Sequence, residues 1–253
     1  MKMGLKISVL PCLSDNYGFI LVDETTQKVA CVDTPDANAI ENHLRSLGLN
    51  RLDYILNTHW HPDHTGGNSR LKELYGAMIF GPAEVQSVAP VDRILASGDS
   101  LDLGASQLSV ISLRGHTLGH IGYVDAAGHN AFVGDCLFPL GCGRLFEGTR
   151  QDMWESLMRL ASLPGDTRLY SAHEYSLANL AFAETLLDSP QFKARAVELT
   201  ALRSLNAFTV PSILDVELKT NPFLVLPMRD IGFAAQADRF GELRSAKDIF
   251  KSA

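Results

Sequence analysis

Three of the chain's eight histidines fall within six positions, in Thr58-His59-Trp60-His61-Pro62-Asp63-His64. Imidazoles and a carboxylate at this density form a donor set that zinc, iron or manganese accepts. The cluster follows an apolar run, 52–57, that predicts a buried strand. In extended backbone residues i and i+2 share a side, so His59 and His61 can converge on one point. Pro62 disfavours a helix running through His59 and Asp63 and redirects the chain, so Asp63 and His64 can face a second point close to the first. Three more potential ligands stand at the ends of strand-like segments: His116 after 106–113, Asp135 at the end of 130–135, and His173 within 167–175. That placement predicts that one rim of a sheet stack gathers the set. His43 and His129 have no such placement and read as surface residues, and His120 reads as a helper or core residue rather than a ligand.

The elements needed to position these groups are visible as short β-type runs at 6–11, 17–23, 28–33, 52–58, 77–81, 99–104, 106–113, 121–125 and 130–135. Helices are predicted over 37–48, closed by Gly48, and over 68–76, capped by Asn68. Separate, turn-bounded strands suggest an α+β fold of stacked sheets with helices outside, not a repeating parallel βαβ array. A helix over 151–163 and a last strand over 167–175 follow. From about residue 176 apolar residues recur at helical spacing and strand-like alternation stops. The expected division is a first domain, 1–173, and a helical second, 174–253.

With 253 residues, 46 % apolar and 20 % charged, the chain has material for a large core, which excludes a disordered or collagen-like protein. No run approaches the roughly 18 apolar residues of a membrane span. The start carries no secretory pattern, so a cytoplasmic protein is expected. A net charge of −7 disfavours nucleic acid and anionic membranes as partners, and an anionic small substrate would need basic groups gathered locally. Four cysteines without a C-x-x-C read as reduced space-fillers. Structural zinc sites are closed and often cysteine-rich, so seven nitrogen and oxygen donors suit an open catalytic centre better than a purely structural or sensing module.

T-H-x-H-x-D-H, then H-T-x-G-H at 116–120, G-D at 134–135 and A-H-E-Y at 172–175 resemble the ligand pattern of the metallo-β-lactamase superfamily. Three further stretches and the ending narrow the resemblance to the hydroxyacylglutathione hydrolase (glyoxalase II) family. These are Asp15-Asn16-Tyr17, the segment 141–149 (G-C-G-R-L-F-E-G-T), His173-Glu174-Tyr175 and the R-x-x-K-D of 244–248. The resemblance implies a four-layered αββα sandwich with a helical carboxy-terminal domain. It implies two divalent ions, zinc foremost with iron or manganese as other candidates: His59, His61 and His116 at the first, Asp63, His64 and His173 at the second. Asp135 would bridge both together with a hydroxide, and Asp63 and Asp135 count as the catalytic carboxylates. Arg144, Tyr175, Arg244 and Lys247 would contact glutathione. The implied activity is hydrolysis of the thioester of an S-2-hydroxyacylglutathione, with S-lactoylglutathione foremost, by a monomer. A lactonase or β-lactamase of the same fold, and a persulfide dioxygenase with a single iron, are the alternatives. Phe146 stands where some relatives have tyrosine and reads as packing beneath its loop or as a ligand contact. Cys136 stands where threonine is common and reads as a buried filler. No role is assigned to 220–225.

Overall fold

The computed structural model describes residues 4–251, which divide into two compact units. The first holds residues up to Ser112 together with Gly119–Gly134; the second holds Leu113–Leu118 and everything from Asp135 onward.

In the first unit a mixed sheet runs in the order β1 (Leu5–Cys12), β2 (Asn16–Asp23), β3 (Val29–Val32), β4 (Tyr54–Leu56), β5 (Met78–Gly81), β6 (Arg93–Ile94). The first three strands are antiparallel, and β3 to β6 are parallel. Parallel strands need crossovers, and helices α1 (Ala37–Ser46) and α3 (Asn68–Tyr75) supply two of them, with the single turn α2 (Pro62–Thr65) before α3. Asp36 caps α1 by accepting from the backbone N–H groups of Asn38 and Ala39. Ile40 and Leu44 of α1 and Leu71 of α3 bury against Leu10, Ile20, Cys31, Ile55 and Ile79 of the sheet.

The other face of β2 carries Phe19, whose ring meets Phe132 at 5.7 Å. Phe132 belongs to an antiparallel sheet made of β7 (Ser100–Leu103), β8 (Ser106–Ser112), β9 (Ile121–Asp125) and β10 (Asn130–Gly134). Helices, sheet and sheet thus form three successive layers within this unit, because alternate side chains of β2 must satisfy a helix on one side and a second sheet on the other.

The second unit opens with a small hairpin, β11 (Leu137–Phe138) and β12 (Gly141–Cys142). Then come α4 (Arg150–Ala161), β13 (Arg168–Ser171), α5 (Ser176–Ala183), α6 (Pro190–Ser204), β14 (Ser212–Ile213), α7 (Leu214–Thr220), α8 (Pro222–Val225) and α9 (Phe233–Ile249). Helix α4 starts in a capping box, Thr149 and Asp152 each bonding the other's backbone N–H. Leu140, Leu180, Ala183, Phe192 and Leu199 form its apolar centre.

Three readings of the sequence need correcting. The strand over 167–175 is not the last, since Ser212–Ile213 pairs antiparallel with Arg168–Leu169. Asn68 does not cap α3: Gly67 occupies the cap, and the Asn68 amide instead exchanges hydrogen bonds with Asn57 and accepts from Thr34. His43 is half-buried and bonded to Ser8 Oγ at 2.7 Å rather than free on the surface.

All four cysteines are buried and reduced. Burial raises every thiol: Cys12 to about 12, Cys142 to about 11, Cys31 and Cys136 well above the ordinary range. Among the described residues no helix is long and apolar enough to cross a membrane.

Candidate metal centre

The first unit brings His59, His61, Asp63 and His64 together, though not by strand alternation. Strand β4 stops at Leu56, and His59 and His61 sit in the bend that follows. Pro62 occupies the first position of α2, where its fixed φ and missing N–H suit a helix start, so Asp63 and His64 ride on a single turn that points back at the bend. His59 Nε2 lies 3.0 Å from His61 Nδ1, and the His59 and His64 rings are 4.0 Å apart. His64 Nε2 lies 3.5 Å from Asp63 Oδ2. Asn16 donates to Asp63 Oδ2 at 3.0 Å and to its carbonyl at 3.2 Å, which fixes that carboxylate.

Asp33, a residue the sequence reading passed over, sets the orientation of this group. It is 1 % exposed, and its backbone takes the left-handed conformation (φ 54°) that Asp tolerates better than most residues. Its carboxylate accepts from Thr58 N at 2.8 Å, from Thr58 Oγ1 at 2.8 Å and from His64 Nδ1 at 2.9 Å. A hydroxyl has one proton. Thr58 gives it to Asp33, so it can only accept from His59 Nδ1, 3.0 Å away. His59 and His64 therefore both carry their protons on Nδ1 and present Nε2 lone pairs. The only hint of Asp33 in the sequence is a carboxylate at the end of a strand-like run, the signal that singled out Asp135.

His120, expected as a helper or core residue, is fully buried and stacks on His59 with ring centroids 4.8 Å apart. Gly134 has φ 48°, and a Cβ there would press on His120 Nε2 and Thr58 Oγ1 at 2.7 Å, which explains a glycine before Asp135.

In the second unit Asp135 Oδ2 lies 3.4 Å from His116 Nε2 and 3.4 Å from His173 Nε2. His116 Nδ1 donates to the Arg144 carbonyl at 2.9 Å, so it too offers Nε2 as a lone pair. The Arg144 segment is tied to the His116 loop by Glu147, which accepts from Leu118 N at 2.8 Å, and by Gly148 N, bonded to the Gly115 carbonyl at 3.1 Å. His173 stacks flat on Tyr175, with centroids 4.7 Å apart and planes 4° apart. Phe146 is 61 % exposed and meets His116 edge-on at 5.1 Å, so it does not pack beneath its loop. Cys136 is buried against Met153 Sδ at 3.8 Å.

Donors around one ion at about 2.0–2.2 Å lie roughly 3.0–3.5 Å from each other. The separations of 3.0, 3.4, 3.4 and 3.5 Å fall in that range. Charge-assisted hydrogen bonds are shorter, about 2.7–2.9 Å. Within the first unit His59, His61, Asp63 and His64, and within the second His116, Asp135 and His173, thus stand at the spacing of metal donors. The residues fit divalent cations.

The basic residues of the second unit differ from one another. Arg144 is exposed, with Nε 3.6 Å from Asp248. Arg244 is 5 % exposed and donates inward, to the Cys142 carbonyl at 2.8 Å and to Asp248 at 3.0 Å, with its guanidinium 5.2 Å from the Phe223 ring centre. Lys247 donates to the Ala178 carbonyl and lies over the Phe182 and Phe250 rings. Burial, and then the neighbouring Arg244 and Arg144 guanidinium groups, push its ammonium down to about 8.

The profile of the metallo-β-lactamase superfamily matches residues 20–173, and that of the hydroxyacylglutathione hydrolase C-terminus matches 174–250. The chain is 41 % identical to the hydroxyacylglutathione hydrolase of Hyphomonas neptunium over 99 % of this chain and all of that protein. It is 43 % identical to the protein of the same name from Erythrobacter litoralis, over 97 % of this chain and all of that one. Among solved structures, ETHE1 from Myxococcus xanthus superposes with a TM-score of 0.71 at 22 % identity, covering 99 % of this chain and 93 % of that one, which shows the shared fold. The di-iron-bound form of TTHA1623 gives 0.56 at 28 % identity, covering 67 % and 92 %. The chain therefore belongs to the hydroxyacylglutathione hydrolase family, with the α+β fold of the metallo-β-lactamase superfamily.

Proposed function

We propose that this protein hydrolyses S-2-hydroxyacylglutathione thioesters, S-lactoylglutathione first among them, to a 2-hydroxy acid and glutathione. In this reading His59, His61 and His116 would hold one divalent ion, Asp63, His64 and His173 would hold a second, and Asp135 would be shared by both. The observation that carries it is the Asp135 carboxylate, whose Oδ2 lies equally close to one imidazole of each set, His116 and His173. A carboxylate has the negative charge and the lone pairs to be shared by two cations, and Asp135 supplies one. When bound, such ions polarise the thioester carbonyl and lower the pKa of a coordinated water from about 15.7 towards 7.

The chain's own groups do the rest. Asp33, Thr58 and the Arg144 carbonyl hold protons on Nδ1 of His64, His59 and His116, so the opposite nitrogens present lone pairs. Asn16 fixes Asp63. Arg144, Tyr175 and Lys247 bind the anionic tripeptide, and Arg244 adds positive charge from behind while bracing Cys142. A thiolate leaves readily, so no further acid is required of the protein.

Zinc is the proposed ion, residues 1–173 the catalytic part and 174–253 the glutathione-binding part, and the working form a cytoplasmic monomer. The relatives' shared name and the matched carboxy-terminal profile support the substrate class. The test is release of free thiol from S-lactoylglutathione by the zinc-loaded protein. Turnover no greater than that of a His59→Ala variant, or equal turnover of a lactone or β-lactam, would overturn the reading.

A further inference from the structure

The second unit holds a buried polar network remote in sequence from every ligand. Glu217 of α7 is fully buried, and four donors meet its carboxylate. Oε1 accepts from Ser212 Oγ and from Arg195 Nη2 at 3.3 Å; Oε2 accepts from Leu140 N at 2.9 Å and Asn221 Nδ2 at 3.0 Å. A buried ion pair seldom adds net stability over well-packed apolar residues, so its location calls for a reason.

The partners supply one, because the network ends on the β11–β12 hairpin. Asn221 Nδ2 also donates to the Phe138 carbonyl at 3.1 Å and the Gly141 carbonyl at 3.0 Å. Asn179 donates to the Pro139 carbonyl at 3.1 Å, and Arg244 to the Cys142 carbonyl. Every backbone group so held lies between Asp135 and Arg144. At the tip, Leu140 adopts φ 55°, a conformation disfavoured for any residue with a Cβ, and the Glu217 carboxylate holds its N–H. The hairpin's outgoing strand is locked onto the ligand segment. Gly143 N bonds the Cys136 carbonyl at 3.2 Å, and a Cβ at Gly143 would collide with the Asp135 carbonyl oxygen. The next carbonyl, that of Arg144, orients His116.

We propose that Glu217 is a positioning residue for the metal centre: by fixing the hairpin tip it sets where Asp135 and the Arg144 carbonyl stand, and through them the affinity of Asp135 and His116 for the ion. This rests on the reading that those two residues ligate metal. It makes the helical region part of the centre's support rather than only a substrate-binding attachment.

In Glu217→Gln the amide group places its own N–H donors against existing donors and leaves Arg195 with the Glu198 carboxylate as its remaining anion. The experiment is zinc titration of the metal-stripped protein against a chromophoric chelator, at a temperature where circular dichroism shows the apoprotein folded. Glu217→Gln should bind zinc about tenfold more weakly than the unmodified chain, the low end of what outer partners of metal ligands contribute. Leu160→Ala, a core truncation in α4, should lower thermal stability and leave zinc affinity unchanged. If Glu217→Gln does not fold, Asn221→Ala carries the same expectation. Unmodified affinity in the folded variant, or an equal loss in Leu160→Ala, overturns the proposal while leaving the metal centre standing. Failure of the unmodified protein to take up zinc overturns both.

Discussion

Replacing Asp33 by Asn changes one oxygen for an NH2 group and should disable two ligands at once. Asn tolerates the left-handed backbone of residue 33 as well as Asp does, so the fold is not strained. If the amide oxygen keeps the bond from Thr58 N, the NH2 faces Thr58 Oγ1 and His64 Nδ1, both donors to the carboxylate in the native protein. Thr58 must then turn its proton towards His59 Nδ1, and His64 must accept on Nδ1. Both imidazoles move their protons to Nε2, the nitrogen needed for the ion. Loss of one such orienting partner typically costs 10–100-fold in metal affinity, about 1.4–2.8 kcal/mol, and with two ligands affected the expected loss is about 100-fold. Competition between the apoprotein and a chelator for zinc measures it, and thioester hydrolysis at rising free zinc should show the same displacement. Thr58→Val, which releases His59 alone, should lose less. A folded Asp33→Asn protein with unmodified zinc affinity would refute the tautomer argument.

Lys247 keeps its positive charge below its pKa of about 8 and loses it above, so KM for an anionic glutathione thioester should climb as pH rises through about 8; Lys247→Arg should flatten that rise in a KM–pH profile. Gly143→Ala forces the Asp135 backbone to move; overpacking of about 1–3 kcal/mol predicts a loss of kcat of roughly 10–100-fold together with weaker metal retention, read by steady-state kinetics and metal analysis. Thr149→Ala breaks the capping box of α4 at a cost of about 1 kcal/mol, lowering Tm by about 2–4 °C in a thermal melt with kcat unchanged.

The candidate ligands stand out in the sequence because they are unusual residue types at tight spacing or at strand ends, features that survive without knowing the fold. The reason given for His59 and His61 was only half right. They converge, but through a bend beyond Leu56 and through different ring nitrogens, since β4 is three residues long. Asp33, Glu217 and Asn221 stayed hidden for another reason. The partners that give them their roles, Thr58 for Asp33, Leu140 for Glu217 and Phe138 for Asn221, lie 25, 77 and 83 residues away, and no local periodicity distinguishes a buried orienting carboxylate from a solvated one. The two-residue strand β14 is similarly silent, being defined by its pairing with β13 alone. Arg244 was found by its motif, yet its burial shows that a matched cation can face the protein's own carbonyls.

A catalyst that sheds a thiol at every turnover works amid continual sulfur exchange, where any accessible thiolate would be captured as a mixed disulfide. All four cysteines here are buried, and at neutral pH even Cys142, at about 11, is ionised only on the order of one part in ten thousand. If it releases glutathione as proposed, the chain offers no reactive thiolate to disulfide exchange and should stay unmodified when oxidised glutathione accumulates.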